Sequence, residues 1–329
     1  MNRKILITGA DGLLGSHIVR HAIHAGYPLR AFVQKDRSTG TLDGLDIEIF
    51  YGDLTNPLDI QKAIRGCDYL VHSAGSTSLW PGRSSAMWRV NFDAVVALAR
   101  AARANNIKRF IHIGSASSFG YGSRQTPGDE NSPFLGKKFN LDYLDTKKSA
   151  QDYLLKQFEL YQLPVIILAP TFIVGEYDTT PNSGKMIISV ARRRLPGFSA
   201  GGKCIAYAGD IAAAAVNALT MGRPGQCYIT GGENLTYHEF FDLVSDLAGA
   251  RRLKFLIPTP LAVLTGGMAE VISKLTRKAP LLSRTMARMS ADTHFYTSSK
   301  AISHLLMPQT PPREAIRRSI DYLKQIGYL

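Results

Sequence analysis

The chain has little that would anchor it in a membrane or cross-link it. Its 329 residues include three cysteines, Cys67, Cys204 and Cys227, far apart, with no CxxC pair and no histidine at metal spacing. An odd, scattered set reads as reduced structural thiols in a cytoplasmic protein. No apolar run reaches the roughly 18 residues that a spanning helix needs. The nearest, Leu253 to Met268, is interrupted by Lys254, Pro258 and Pro260. The opening Met1-Asn2-Arg3-Lys4 before Ile5-Leu6-Ile7 imitates a signal peptide, but Gly9 and Asp11 end the apolar stretch too early. Neither a membrane span nor a secretory leader is expected.

Acidic residues are the other scarcity: 26 Asp and Glu face 39 Lys and Arg, a net charge of +13. Residues 1–180 carry 20 cations against 17 anions, whereas residues 181–329 carry 19 against 9. A basic second half suits an anionic ligand, an acidic membrane surface or simply a solvated face. No aromatic-interleaved basic module is present, so nucleic acid is not an expected partner.

What is present is a rhythm. Short apolar runs at Lys4–Thr8, Leu29–Val33, Ile47–Tyr51, Tyr69–Ser73, Arg109–Gly114 and Val165–Ala169 alternate with helical patterns. The helices are expected at about Leu13–Ala25, Pro57–Arg65, Met87–Asn105 and Tyr143–Tyr161. Strands alternating with helices imply right-handed crossovers and a parallel sheet covered on both faces. The fold expected for residues 1–170 is a doubly wound α/β (Rossmann) domain. Beyond Pro170 the strands shorten (Cys204–Tyr207, Cys227–Thr230) and Gly and Pro multiply. Residues 171–329 are expected to form a smaller, mostly helical substrate-binding region, with part of 204–230 returning to the sheet. Within it, Thr236-x-x-Glu239 is a capping box, and Thr310-Pro311-Pro312 opens the last helix.

Three features carry chemistry. Thr8-Gly9-Ala10-Asp11-Gly12-Leu13-Leu14-Gly15 lies between the first strand and the first helix. Gly9 permits the tight turn, Gly12 lets backbone approach a pyrophosphate, and Gly15 lets helix and strand pack closely. That context makes the motif a dinucleotide site. At the end of the second strand, where an acid would accept the ribose 2′-hydroxyl of NAD, stand Gln34, Lys35, Asp36 and Arg37. Two cations and no acid at position 34 suit the 2′-phosphate of NADP; Asp36 leaves NAD as the alternative. Third, Tyr143 and Lys147 share a helix face at i, i+4, with Ser115 at the end of the fifth strand. A tyrosine doing acid–base work near neutrality needs its pKa lowered by about 3 units, and a neighbouring ammonium together with the positive charge of an oxidised nicotinamide shifts it in that direction.

With these residues in hand, the chain resembles the extended short-chain dehydrogenase/reductase superfamily, and within it the dihydroflavonol reductase and 3β-hydroxysteroid dehydrogenase branch. The stretches TGADGLLGSHIVR, YGDLTNP, YLVHSAG, RFIHIGSASSFG, YLDTK and LAPTFIVG carry the resemblance. It implies that Asp53 and Leu54 bind the adenine, and that Ser73, Ala74 and Gly75 line the coenzyme. It implies further that Ser115, Tyr143 and Lys147 are catalytic, and that Pro170, Phe172 and Ile173 lie near the nicotinamide. Ala94 and Val95 replace a Gly-Thr pair usual after Asn91, and Gly75 stands where alanine is commoner. The Asp-Glu pair of sugar-nucleotide dehydratases is absent beside Ser115, where Ala116 and Ser117 stand. The asparagine that many epimerases carry after the sixth strand is likewise missing.

The resulting expectation is an NADP(H)-dependent oxidoreductase acting on a ketone, aldehyde or the corresponding alcohol of a small apolar or acyl-like molecule. A sugar-nucleotide epimerase and a non-catalytic NADP(H) sensor are the alternatives. A homodimer through the Tyr143 and Asn91 helices is the resemblance's further implication. His17, His21 and His24 have metal-like spacing, but no carboxylate is expected to join them and their helix is expected to pack on the sheet, so no metal is expected. Trp80 and Trp88 are candidates for a substrate wall or for an apolar anchor. Pro258–Met289, apolar with cations, reads as a lid packed on its own domain or as a segment resting on a bilayer.

Overall fold

Residues rich in Ile, Leu and Val, buried on both faces in the inner strands, form the sheet that organises the chain. A computed structural model describes residues 3–276, 278–280 and 282–329. Strands β1 (Ile5–Thr8), β2 (Leu29–Val33), β3 (Glu48–Tyr51), β4 (Tyr69–His72), β5 (Arg109–Ile113) and β6 (Val165–Pro170) pair in parallel. A small strand, β7 (Phe172–Val174), leaves this sheet, and β8 (Gly202–Tyr207) follows it. Strand β9 (Gln226–Thr230) then returns to pair with β6, giving the seven-stranded order β3-β2-β1-β4-β5-β6-β9. The order reverses between β1 and β4, the place where an open α/β sheet leaves a crevice at its carboxyl edge.

One face is covered by helices Leu13–His24 and Ala208–Asn217, packed together over Ile5, Ile7, Val71 and Ile111. The other is covered by Pro57–Ile64, Ala94–Ala104 and Asp142–Tyr161, over Leu6, Leu70, Phe110 and Ile167. Because successive residues of a strand point to opposite faces, one Ile-Leu-Ile run supplies both cores.

The helix expected over Met87–Asn105 differs from a regular one. It starts at Ser85 and passes through a wide π-helical turn at Arg89–Asp93 before becoming α-helical over Ala94–Ala104. The buried Asn91 side chain on that turn is held by the backbone of Ser76 and by Thr146, which favours the widened turn over the ordinary pitch.

After β6 a second sheet forms. Strand β8 pairs with β7, with β10 (Glu233–Thr236) and with β11 (Thr293–His294). Helices Gly184–Ala191, Tyr237–Ala248 and Pro312–Gln325 close a third core around Ile187, Phe240, Val244 and Ile316. The capping box is formed in both directions, Thr236 to Glu239 and back. All three cysteines are buried and free. No helix among the described residues is long and apolar enough to cross a membrane.

Candidate active site

At the carboxyl edge of β1 the three glycines separate into distinct physical roles. Gly9 has φ +65°, and a Cβ there would lie 2.7 Å from the backbone of Ala74. A Cβ on Gly15 would sit 1.9 Å from the Gly9 carbonyl oxygen, so helix and turn could not approach. A Cβ on Gly12 meets only that same oxygen, at 3.4 Å, and otherwise points into open space. Gly9 and Gly15 therefore serve the fold, and Gly12 keeps the space above the helix N-terminus clear. No side chain caps that terminus, leaving its first N–H groups for an anion. Leu13 is half-buried, Leu14 is in the core, and Ser73, Ala74 and Gly75 form the facing wall, tied to β1 through Thr8.

At the end of β2, Gln34 and Lys35 are exposed. Arg37 folds back so that its Nε lies 3.2 Å from the buried carboxylate of Asp11, which holds the guanidinium over the glycine turn. Asp53, exposed after β3, accepts from the Thr55 N–H at 2.8 Å, and Leu54 packs against the sheet's second face.

The catalytic candidates meet across β5 and the helix Asp142–Tyr161. Ser115 follows the end of β5, and its Oγ lies 2.7 Å from that of Ser117. The Tyr143 hydroxyl donates to Ser115 Oγ at 3.3 Å. Four residues on, the buried Lys147 donates from Nζ to the Ile113 carbonyl at 3.3 Å. The helix start is fixed from outside: Asp142 N–H donates to Gly82 O at 2.8 Å, and Arg83 pairs with Asp142 at 3.2 Å and Asp145 at 3.0 Å. The loop after β4 is thereby strapped to the tyrosine helix. Around Tyr143 lies an apolar wall of Leu79, Phe134, Phe139, Leu141, Leu144 and Met289.

The electrostatics of the chain without coenzyme are set by burial. Burial pushes the Tyr143 phenol above its ordinary value, with the hydroxyls of Ser115 and Ser117 pulling partly back; Lys147 does not figure in that balance. Lys147 itself is lowered to about 8, entirely by burial. In the chain alone the tyrosine is therefore a firm proton holder, and the lysine is a buried cation without a carboxylate. The ammonium's hydrogen bond goes to the Ile113 carbonyl.

A nicotinamide dinucleotide fits this site on two observations. The space that a Cβ on Gly12 would fill is clear. A Cβ on Gly75 would touch both Lys147 Nζ and Asn91 Oδ1 at 3.3 Å, so the bare glycine preserves room beside an under-partnered ammonium. Gly12 and the uncapped N–H groups at the start of Leu13–His24 would hold the pyrophosphate, and Lys147 the ribose hydroxyls.

Other expected residues lie where their elements put them. Pro170 is buried at the end of β6, Ile173 packs against the first core, and Phe172 turns its ring to Phe240 at 6.0 Å. Trp88 meets Phe92 edge-on at 5.8 Å, the place of an apolar anchor. The first-helix histidines do have a carboxylate near: Glu176, brought from beyond β7, comes within 3.5 Å of His17. His21 bonds instead to the His17 carbonyl.

Sequence reading passed over His72 and His112. They occupy matching positions on β4 and β5, stacked with centroids 5.3 Å apart, and both are fully buried. Burial, with Lys147 nearby, lowers His72 to about 3 and His112 well below the usual range. The signal available was the shared pattern of an apolar strand ending in His two residues before a small one, in VHSAG and IHIGS.

This geometry coincides with a family match. Residues 5–231 fit the NAD dependent epimerase/dehydratase family. The chain belongs to that family. It is an NAD(P)-dependent oxidoreductase of the extended short-chain dehydrogenase/reductase type. A Synechocystis protein provisionally named dihydroflavonol 4-reductase is 26% identical over 328 residues, covering 98% of this chain and 95% of that one. Sterol demethylase protein B of Methylococcus capsulatus is 28% identical over 330 residues, covering 98% and 99%. The 3β-hydroxysteroid dehydrogenase/Δ5→4-isomerase of Mycobacterium tuberculosis is 27% identical over 311 residues, covering 89% and 82%. Among solved structures, gox2253 superposes with a TM-score of 0.87 at 28% identity, covering 100% of both chains.

Proposed function

We propose that the protein is an NADP(H)-dependent reductase of a ketone or aldehyde, or an oxidant of the corresponding alcohol, on a small apolar, acyl- or lipid-like substrate. The observation that carries this reading is the Tyr143 hydroxyl held on Ser115 Oγ at 3.3 Å, with Lys147 one helical turn behind. A bound nicotinamide coenzyme supplies or accepts the hydride. Ser115 donates a hydrogen bond to the substrate oxygen, giving up the one it shares with Ser117. Tyr143, kept protonated by burial, passes its proton to that oxygen as negative charge develops there. Lys147 adds positive potential behind the phenol and binds the ribose.

The partly exposed Leu79, Phe134 and Met289, packed with Tyr143 on the buried Phe139, Leu141 and Leu144, support an apolar substrate, because a sugar would leave its hydroxyls unpaired against them. The names of the relatives from Methylococcus and Mycobacterium, both concerned with sterols or steroids, agree with that class. Arg37, steadied over the glycine turn by Asp11, supports NADP(H), since guanidinium suits a phosphate where a carboxylate would suit a free ribose.

The test is NADPH consumption by purified protein against hydrophobic ketones and aldehydes, 3-oxoacyl thioesters and nucleotide sugars, with NADH and Tyr143→Phe alongside. Turnover of an apolar carbonyl that the variant abolishes supports the reading. Tightly retained coenzyme with isomerisation of a nucleotide sugar, and no net NADPH loss, overturns it in favour of an epimerase.

A further inference from the structure

We infer that the helical hairpin formed by Thr259–Thr276 and Arg284–Met289 docks the protein onto an anionic lipid bilayer. The first helix is inverted relative to an ordinary surface helix, which turns its large apolar side chains to the core. Here the inward positions are small: Ala262, Gly266, Gly267 and Ser273 are buried, and a Cβ on Gly266 would meet the Ser283 backbone at 2.8 Å. The outward positions are Leu261, Leu264, Met268, Val271, Ile272 and Leu275, between 51% and 82% exposed. Their spacing of three and four residues places them on one stripe. The preceding loop adds Phe255 and Leu256, 73% and 55% exposed. Eight of the seventeen large apolar side chains exposed among the described residues thus fall within Phe255–Leu275. Single exposed apolar residues are ordinary, but a continuous ridge on one hairpin marks a contact surface.

Charge selects the occupant. Residues 251–289 contain eight Lys and Arg against one acid, Glu270, more than half the net charge of the whole chain. That one acid is engaged locally, accepting from the Arg284 N–H at 2.8 Å. Arg251, Arg252, Lys254, Lys274 and Lys278 are exposed around the ridge, and Arg284 and Arg288 border the groove beside Leu264 and Met268. A second copy of the chain would bring two such cationic surfaces together, which repel. A leaflet of anionic lipid offers hydrocarbon to the ridge and negative charge to its rim. The hairpin ends at Met289, which belongs to the apolar wall around Tyr143, so docking brings that wall's outer end toward the lipid. The docking stands independently of the reductase reading.

The experiment is co-sedimentation of the full chain with vesicles of phosphatidylcholine alone or mixed with phosphatidylglycerol, over a range of salt. Wild type is expected on the mixed vesicles, with each interfacial cation contributing about a fivefold factor at low salt. Leu264→Glu with Met268→Glu should reduce partitioning by at least about tenfold. Lys274→Glu with Lys278→Glu should reduce it at low salt and less at high salt. Because all four positions are exposed, each variant should keep the wild-type circular dichroism and NADPH affinity. Failure of the wild type to bind mixed vesicles overturns the proposal. Equal binding by the correctly folded Leu264→Glu/Met268→Glu variant also overturns it. So does a wild-type dimer, without vesicle binding, that this variant converts to monomer, since the ridge would then belong to a second copy.

Discussion

Lys147 offers a sharp test, because the chain holds it at an energetic disadvantage. Its side chain is 7% exposed, its one hydrogen-bond acceptor is the Ile113 carbonyl, and burial lowers its pKa from 10.5 to about 8. That displacement corresponds to about 3 kcal/mol of destabilisation whenever the lysine is charged in both states. Methionine at this position keeps much of the apolar stem while removing the charge. It leaves Ile113 O without its side-chain donor, a loss of about 1 kcal/mol. Lys147→Met should therefore stabilise the protein at neutral pH by about 2 kcal/mol, a urea midpoint higher by about half a molar unit. The sign of the pH dependence is fixed. Below about 8 the native and unfolded lysines are both protonated, and the full penalty is present. Between about 8 and 10.5 the native lysine loses its proton first, and the wild type catches up. The variant's advantage should thus vanish across that window, while its turnover is lost at every pH. A Lys147→Met protein less stable than wild type at neutral pH, or equally advantaged on both sides of the window, refutes the reasoning. In either case the ammonium would have a compensating partner.

Tyr143→Phe should lower turnover by at least about 100-fold while coenzyme affinity stays within a few-fold, read by stopped turnover and fluorescence titration. Gly12→Ala should fold normally yet bind NADPH poorly, because its Cβ enters the open space above the helix. Gly15→Ala should fail to fold or lose several degrees in thermal midpoint, because its Cβ collides with Gly9 O. Arg37→Ser should weaken NADPH binding by about tenfold and leave NADH unchanged; equal losses for both coenzymes would refute the 2′-phosphate assignment. In acid, His17, His72 and His294, each lowered to about 3, remain neutral in the native state while the unfolded chain takes up protons from about 6.5 downward. Urea midpoints should fall steadily as pH drops through that window, and a flat profile would contradict the burial of these rings.

How much of this was legible depends on the range over which each feature is encoded. The six strands from β1 to β6 lie within a residue of their apolar runs, because parallel strands buried on both faces must be continuously apolar; β3, exposed at the sheet edge, is legible from its run alone. The glycine turn and the Tyr143–Lys147 pair are local patterns, and both were found at their expected places. The second sheet was hidden because β7, β10 and β11 are two to four residues long and pair with β8 across large sequence separations. The π-helical turn at Arg89–Asp93 was hidden for a different reason. Its Asn91 makes bonds to Ser76 and Thr146, 15 and 55 residues away, and nothing in the intervening alanine-rich pattern reports them. The hairpin inverts the usual rule outright, since hydropathy locates an apolar helix but not which side faces inward.

The same limit governs the site's chemistry. Spacing places Tyr143 and Lys147 on one face, and proximity alone suggests that the ammonium lowers the phenol's pKa. In the chain without coenzyme, desolvation dominates both groups, raising the phenol and lowering the lysine, which donates to Ile113 O. A buried phenol with a raised pKa cannot take a proton at neutral pH, but it is well suited to hold one. Carbonyl reduction needs a protonated tyrosine, whereas alcohol oxidation needs an ionised one. The two directions therefore call on opposite protonation states of Tyr143 and should differ in pH dependence. The direct measurement is the pH profile of both directions. The reductive rate should hold level through neutrality, while the oxidative rate should rise with pH. A reductive rate that already declines as pH rises from 7 to about 8, through loss of the tyrosine proton, would contradict the burial seen at Tyr143.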